Sequence, residues 1–339
     1  MARRRSLPGS LPAGLVPIDT GTVELEGDPD RAGGLMVYVN GVESSYIDLD
    51  DAGYLEFEYM QQMLLALEPI LQQRPNSRIL HLGGAACAFA RALAVGRPGL
   101  RQVVVELDGE LARLAREWFD LPRSPALRIR VGEARATVQT LHPGSFDVIV
   151  RDAFAGARVP HHLTTKEFLG ELSTVLRPGG LYLGNLVDTP PLPMARQEVA
   201  TAKSVFAHVA LAVEPAILRG RRFGNLVILG SDEPIDEGLL ARRLLTLPAP
   251  VRLVRDADLE AFAAGAALLV DPAVQDGADP SPGAGVSSKV GGSAEAASAE
   301  SGSAVPGSDG AGSDGVASDG EGPDEAGGRP DAAFTTMKR

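Results

Sequence analysis

Residues 78–84 read Arg78-Ile79-Leu80-His81-Leu82-Gly83-Gly84, an apolar strand that runs straight into small residues and then into a helical stretch from about 86 to 95. The same alternation repeats downstream. Gln102-Val103-Val104-Val105-Glu106-Leu107 precedes a helical pattern over Gly109–Phe119, and Leu127–Val131 precedes one over about 134–141. Phe146–Val150 is followed by a loop and a helix over Thr165–Leu176, and Pro178-Gly179-Gly180 turns the chain into a fifth strand, Leu181–Leu186. Short, near-continuous apolar strands separated by helices predict a parallel sheet covered on both faces. A helix near 193–207 and strands near 209–213 and 225–229 bring the expected sheet to seven strands. The fold class is α/β, a Rossmann-like doubly wound sheet.

Upstream, two strand-like runs flank Asn40-Gly41 within residues 35–49. Asn-Gly suits a type I′ hairpin turn, whose two central residues need positive φ. A small N-terminal β-hairpin element is expected there. Apolar positions at helical spacing over Leu55–Gln73 predict a helix that Pro75 terminates. The expected divisions are a flexible N-terminus over 1–20, the β element over 21–54 and the α/β domain over 55–235. A short helical extension over 236–271 and a disordered tail over 272–339 follow.

The tail is almost all Gly, Ala, Ser, Pro and Asp, with Ser-Asp-Gly recurring at Ser308, Ser313 and Ser318. Such a composition buries too little apolar surface to offset its ordering entropy. It holds 11 Asp and Glu against 4 Lys and Arg, so −7 of the chain's −12 charge lies there. The remaining −5 gives no basic surface for nucleic acid, and Arg3-Arg4-Arg5 is too short to change that. One cysteine, Cys87, excludes an internal disulfide and fits a reducing, cytoplasmic setting. No stretch approaches the ~20 apolar residues of a spanning helix, so no membrane partner is expected.

Ligands of open α/β sheets sit beyond the carboxyl ends of the strands. Three features fall there. Gly83 and Gly84 let a backbone approach closely and lead to a helix N-terminus, although the run is not a Gly-x-Gly-x-x-Gly pyrophosphate loop; a plain tight turn is the alternative. Glu106 ends an apolar strand 23 residues after Gly83, near the ~20 expected for a carboxylate that accepts from ribose hydroxyls. Glu133, followed by Ala134, can accept from an adenine amino group, or simply sit at a helix start favoured by the dipole. Together they suit an adenosine held without a diphosphate.

From residue 35 to about 229, the sequence resembles the spermidine synthase family. The resemblance rests on Val39-Asn40-Gly41, Leu55-Glu56-Phe57-Glu58-Tyr59, Gly83-Gly84, Val105-Glu106-Leu107-Asp108, Phe146–Asp152 and Leu176–Gly180. It implies a class I methyltransferase-type sheet that carries aminopropyl transfer from decarboxylated S-adenosylmethionine to an amine. The sulfonium activates the neighbouring methylene, and a carboxylate must take the proton of the attacking ammonium. The resemblance places that proton acceptor at Asp152, with a loop-capping role as the alternative. The donor is a co-substrate; no prosthetic group or metal is expected, because His161-His162 have no ligand at metal spacing.

Departures from the family pattern fall on the amine side. The second Asp-x-x-Asp carboxylate is replaced in Asp152-Ala153-Phe154-Ala155, the acid of the glycine loop is Ala86, and Tyr-His-Glu becomes Tyr59-Met60-Gln61. Glu43 and Ser44 stand where a glutamine is expected. At roughly 1.5–3 kcal/mol per charge-assisted hydrogen bond, such losses weaken diamine binding by about two to four powers of ten. The expected activity is a spermidine-synthase-like transfer using S-adenosylmethionine, its decarboxylated form or methylthioadenosine. A small-molecule methyltransferase and a non-catalytic nucleoside-binding protein are the alternatives. Expected partners are a small amine or other acceptor and, at most, a second copy of the chain in a homodimer. The loop Ala153–Thr164 is a candidate lid, and Cys87, at a helix start, is either activated there or a small buried residue.

Overall fold

In the computed structural model, which describes residues 11–156 and 158–273, alternation decides the N-terminal segment. Strands β1 (Leu15–Ile18), β2 (Gly21–Gly27), β3 (Gly34–Val39) and β4 (Val42–Asp48) form an antiparallel sheet in chain order. Val23 and Leu25 of β2 point inward between more exposed neighbours, the period of a half-buried strand. Asn40 and Gly41 have φ of 52° and 77°, as the I′ turn requires. The expected hairpin is thus half of a four-stranded sheet, and residues 15–18, expected to be flexible, are its first strand. Pro17 sits in that strand without penalty because β1 is at the edge, paired only with β2.

Helix α1 (Glu58–Gln73) starts three residues later than its apolar spacing suggested, with Phe57 at the N-cap. It leads into β5 (Arg78–Leu82), α2 (Ala88–Ala94), β6 (Arg101–Glu106), α3 (Gly109–Trp118), β7 (Leu127–Val131), α4 (Ala134–Val138) and β8 (Phe146–Arg151). Then come α5 (Lys166–Val175), β9 (Leu176–Asp188), α6 (Pro193–Lys203), β10 (His208–Val213), α7 (Pro215–Leu218) and β11 (Gly224–Ser231). The chain continues through α8 (Glu237–Leu244), β12 (Arg252–Val254) and α9 (Asp256–Ala263).

The large sheet has the order β12-β10-β11-β9-β8-β5-β6-β7. Strands β5 to β9 are mutually parallel where they pair, and β11 runs antiparallel between β9 and β10. There are eight strands rather than seven, because β12, within the extension expected to be helical, pairs with β10. At Pro178-Gly179-Gly180 the chain makes a bulge inside β9 instead of a separate turn: Phe146 pairs with Leu176, then Val148 with Leu181. The expected tail falls, from residue 274 onward, outside the described residues, as does Arg3-Arg4-Arg5.

Neighbouring strand residues feed two cores. Ile79, Val104, Val148 and Leu183 join α1, α2, α3 and the N-terminal sheet on one face. Leu80, Val105, Ile149 and Tyr182 pack with α4, α5, α6 and α9 on the other. The N-terminal sheet is tied to the ligand end of the large one. Asp19 accepts from the Gly109 and Glu110 N–H groups at 2.8 and 3.0 Å. Asp108, which caps α3 through Leu111 N–H at 2.7 Å, also accepts from the Thr20 hydroxyl at 2.8 Å.

Candidate active site

Strands β5 and β8 lie side by side, and the chain leaves them in opposite directions across the sheet, which opens a crevice at their carboxyl ends. Gly83 N–H donates to the Val105 carbonyl at 2.9 Å, and Asp152 N–H to the Leu82 carbonyl at 2.8 Å. A Cβ on Gly83, whose φ is +86°, would overlap the Asp152 carbonyl oxygen, and one on Gly84 would press on Val104. The glycine pair is therefore demanded by the chain's own packing, which brings the first loop against the Asp152 loop. Ala85 and Cys87 in the same loop have φ of 41° and 61°, conformations that are costly for non-glycine residues. Cys87 is buried, and burial pushes its thiol up to about 12. It is the small buried residue of the two alternatives.

At the end of β6, Glu106 accepts from Ala85 N–H at 3.0 Å and from Asp108 N–H at 3.1 Å. Burial pushes its carboxyl above the ordinary value against those donors. Leu107 beside it and Val131, the register partner of Glu106, are 61% and 57% exposed. Leu107, just past β6, and Val131, the last residue of β7, are thus exposed aliphatic neighbours of the acid, one in sequence and one in register. Glu133 caps α4, taking Arg135 N–H at 3.0 Å and Ala136 N–H at 2.7 Å, and lies 3.0 Å from His162 Nε2. Burial opposes its charge, but those donors outweigh it and hold Glu133 below its usual value. The helix-start arrangement is thus realised at Glu133. Ala134 is the first residue of α4, with its side chain in the core.

Asp152 follows the last residue of β8. Tyr59 Oη donates to its Oδ2 at 2.9 Å, and Asn185 Nδ2 to its Oδ1 at 2.8 Å. Asn225 Nδ2 in turn donates to Asn185 Oδ1 at 3.0 Å. Burial pushes the Asp152 carboxyl above its ordinary value, opposed by the Asn185 and Tyr59 hydrogen bonds and by the charge of Arg151. Arg151 is fully buried, ion-paired to Glu198 at 2.7 Å and donating to the Asn185 carbonyl at 3.1 Å. The pair therefore braces the residue that orients Asp152.

Beyond Tyr59 and Asn225 lies a cavity of about 180 Å³, lined also by Glu58, Gln62, Glu214, Arg222, Phe223 and Gly224. Ala86, Gln61 and Ser44 do not take over the role of the missing carboxylates. Ala86 is fully buried, with its N–H 3.4 Å from Ser45 Oγ, Gln61 Nε2 donates to the Leu55 carbonyl at 2.7 Å, and Ser44 bonds its own turn. Asn185, Asn225 and Gln62 were missed in the sequence. An asparagine inside the apolar Leu181–Leu186 strand was the available signal. In the loop after Asp152, Ala155 N–H bonds the Arg158 carbonyl at 2.8 Å, and His161–Leu163 form a 3-10 turn. Among the described residues, no His, Cys, Asp and Glu cluster could hold a metal ion, and no helix is long and apolar enough to cross a membrane.

A sheet whose strands β5 to β9 run parallel, flanked by the antiparallel β11, β10 and β12, defines the class, the methyltransferase-type α/β proteins. The "Methyltransferase domain" family model matches residues 80–184. The polyamine aminopropyltransferase of Vibrio vulnificus is 32% identical over 152 residues, 44% of this chain and 49% of that protein. Polyamine aminopropyltransferase 1 of Hyperthermus butylicus is 31% identical over 154 residues, 42% of this chain and 52% of its own length. The chain spans about half the length of these curated relatives. A probable spermidine synthase from Corynebacterium glutamicum, solved as a crystal structure, is 39% identical with a TM-score of 0.74. The match covers 80% of this chain and 100% of that one. The chain belongs to the spermidine synthase family.

Proposed function

We propose that the chain moves an aminopropyl group from decarboxylated S-adenosylmethionine to a small primary amine. Asp152 is the proton acceptor in this reading. The observation that supports it best is the buried Asp152 carboxyl at the end of β8, held by Tyr59 and Asn185, with Tyr59 also lining the small cavity. The amine lone pair attacks the methylene next to the sulfonium. The carbon–sulfur bond breaks towards sulfur, leaving the neutral thioether methylthioadenosine, and the ammonium proton passes to Asp152. A raised carboxyl narrows the gap to an amine of pKa near ~10 and makes that transfer less uphill.

Glu106 keeps lone pairs free for the ribose hydroxyls after its two backbone bonds. Leu107 and Val131 flank the base, while Glu133 accepts from the adenine amine once His162 gives way. Gly83, Gly84 and Ala134 contribute backbone rather than side-chain surface. A cytoplasmic setting is in keeping with a single cysteine, which leaves no pair for an internal disulfide.

A methyl-transfer reading is favoured by the family model over 80–184 and by the absent amine-side carboxylates. Calorimetry with decarboxylated S-adenosylmethionine, intact S-adenosylmethionine and methylthioadenosine separates the two. The expected result is tightest binding of the decarboxylated donor. Preference for the intact donor supports methyl transfer, and binding of none contradicts both.

A further inference from the structure

Strand β8 is buried at every position and ends on a guanidinium. Arg151 is 0% exposed, so the strand that delivers Asp152 also carries a positive charge into the core. A slot is kept for it. A Cβ on Gly184 would lie 2.5 Å from the Tyr182 hydroxyl and 3.1 Å from Arg151 Nη2, so the glycine inside β9 is what admits the guanidinium. A guanidinium does not shed its proton, and burial therefore demands an anion beside it. Glu198 of α6, 5% exposed, supplies one at 2.7 Å. Apolar side chains of similar volume often serve stability as well as such a pair does, so stability alone does not call for it.

The other contacts of Arg151 lead to Asp152. Nη2 also donates to the Asn185 carbonyl at 3.1 Å, and Nη1 reaches the Leu163 carbonyl, in the turn that follows the Asp152 loop, at 3.5 Å. Asn225 donates to Asn185 Oδ1, which turns the Asn185 amide NH2 towards Asp152. The backbone of Asn185 is thus held by Arg151 and its side chain by Asn225. The remaining ionisable groups around Asp152 and the pair are Tyr59 of α1, which donates to Asp152, and Tyr182 and Asp188 of β9. Glu58 and the closed Glu214–Arg222 pair line the small cavity with Tyr59. Burial raises the Asp152 carboxyl, and the Arg151 charge is among the influences that pull it down.

We propose that Arg151 and Glu198 are positioning residues for the base: Arg151 holds Asn185 against Asp152, and Glu198 sets how much of the Arg151 charge Asp152 feels. The proposal rests on the reading of Asp152 as the proton acceptor. With Glu198 ionised, the guanidinium is largely balanced, and Asp152 keeps the basicity that proton transfer from an ammonium needs. Without that balance, the adjacent positive charge favours the carboxylate and makes it a weaker base.

The test uses the full chain and two readings. One is the pH dependence of kcat/KM for aminopropyl transfer from decarboxylated S-adenosylmethionine to putrescine. The other is the titration of the Asp152 carboxyl by ¹³C NMR, its signal identified by its loss in Asp152→Asn. Glu198→Gln keeps a hydrogen bond to Arg151 but removes the balancing charge. Its acid limb and its carboxyl titration should both move down by about one pH unit, with a plateau about three- to tenfold lower. Arg151→Met joined to Glu198→Leu removes both charges and frees the Asn185 carbonyl. Both readings should then move up, which decides the matter should Glu198→Gln fail to fold. The calorimetric affinity for the donor should stay as it was in both variants. Readings that stay put, or that move the same way in the two variants, overturn the proposal, since a purely structural pair changes stability and not the titration. A wild type that transfers no aminopropyl group overturns the proposed function instead, and the carboxyl titration still decides the coupling.

Discussion

The Tyr59 hydroxyl donates to Asp152 Oδ2 at 2.9 Å across 93 residues of sequence, joining the helix after the N-terminal sheet to the end of β8. Removing that donor in Tyr59→Phe takes away a hydrogen bond that holds the Asp152 carboxyl down. The carboxyl, already raised by burial, then rises further. Activity needs the ionised form, so the acid limb of kcat/KM should move to higher pH, with a loss of roughly tenfold on the plateau. A pH–rate profile checks both, and an unmoved limb would separate Tyr59 from the titrating group.

Arg151 and Glu198 should behave as a pair. Glu198→Ala leaves a buried guanidinium unbalanced and should cost about 3–5 kcal/mol of stability, while a joint Arg151→Met, Glu198→Leu change should cost much less. Urea unfolding of the single and double variants gives the coupling energy. Additive losses would contradict a closed pair.

His81 is buried with Nε2 3.0 Å from Gln102 Oε1, and burial lowers it to about 4. The unfolded chain binds that proton from about pH 6.5 downward. Its contribution, at most about 3 kcal/mol, is therefore full above that value and lost as pH falls towards 4. Proton NMR of the native chain should show a His81 ring that does not titrate between pH 5 and 8, by this account roughly a unit clear of its midpoint. A midpoint near 6.5 would refute the buried neutral form.

Cys87 stays a thiol at neutral pH because burial raises it to about 12. A maleimide should therefore label the native chain far more slowly than the urea-unfolded chain. Equal rates would mean that the glycine loop opens readily.

Much of this fold could be read directly, because β5, β6 and β8 are continuous apolar runs with turn residues at their ends. β1 and β12 escaped notice for a physical reason. The first carries Pro17 and the second has three residues, so neither shows a period, and each is fixed only by pairing with its neighbour. Glu106 was legible as a charge ending an apolar strand. Gly83 was legible as a tight spot, and the Asp152 carbonyl is what crowds it. Gln62 could not be found from spacing, since an amide at that position is distinguished only by being buried without a partner.

The most direct measurement follows the products of decarboxylated S-adenosylmethionine and putrescine by mass spectrometry, in wild type and Asp152→Asn. Wild type should yield methylthioadenosine and aminopropylated amine in equal amounts. Asp152→Asn should bind the donor as tightly and form both products about 10²- to 10⁴-fold more slowly. Undiminished turnover in Asp152→Asn, or S-adenosylhomocysteine formed from intact S-adenosylmethionine in preference to aminopropyl transfer, would contradict the account.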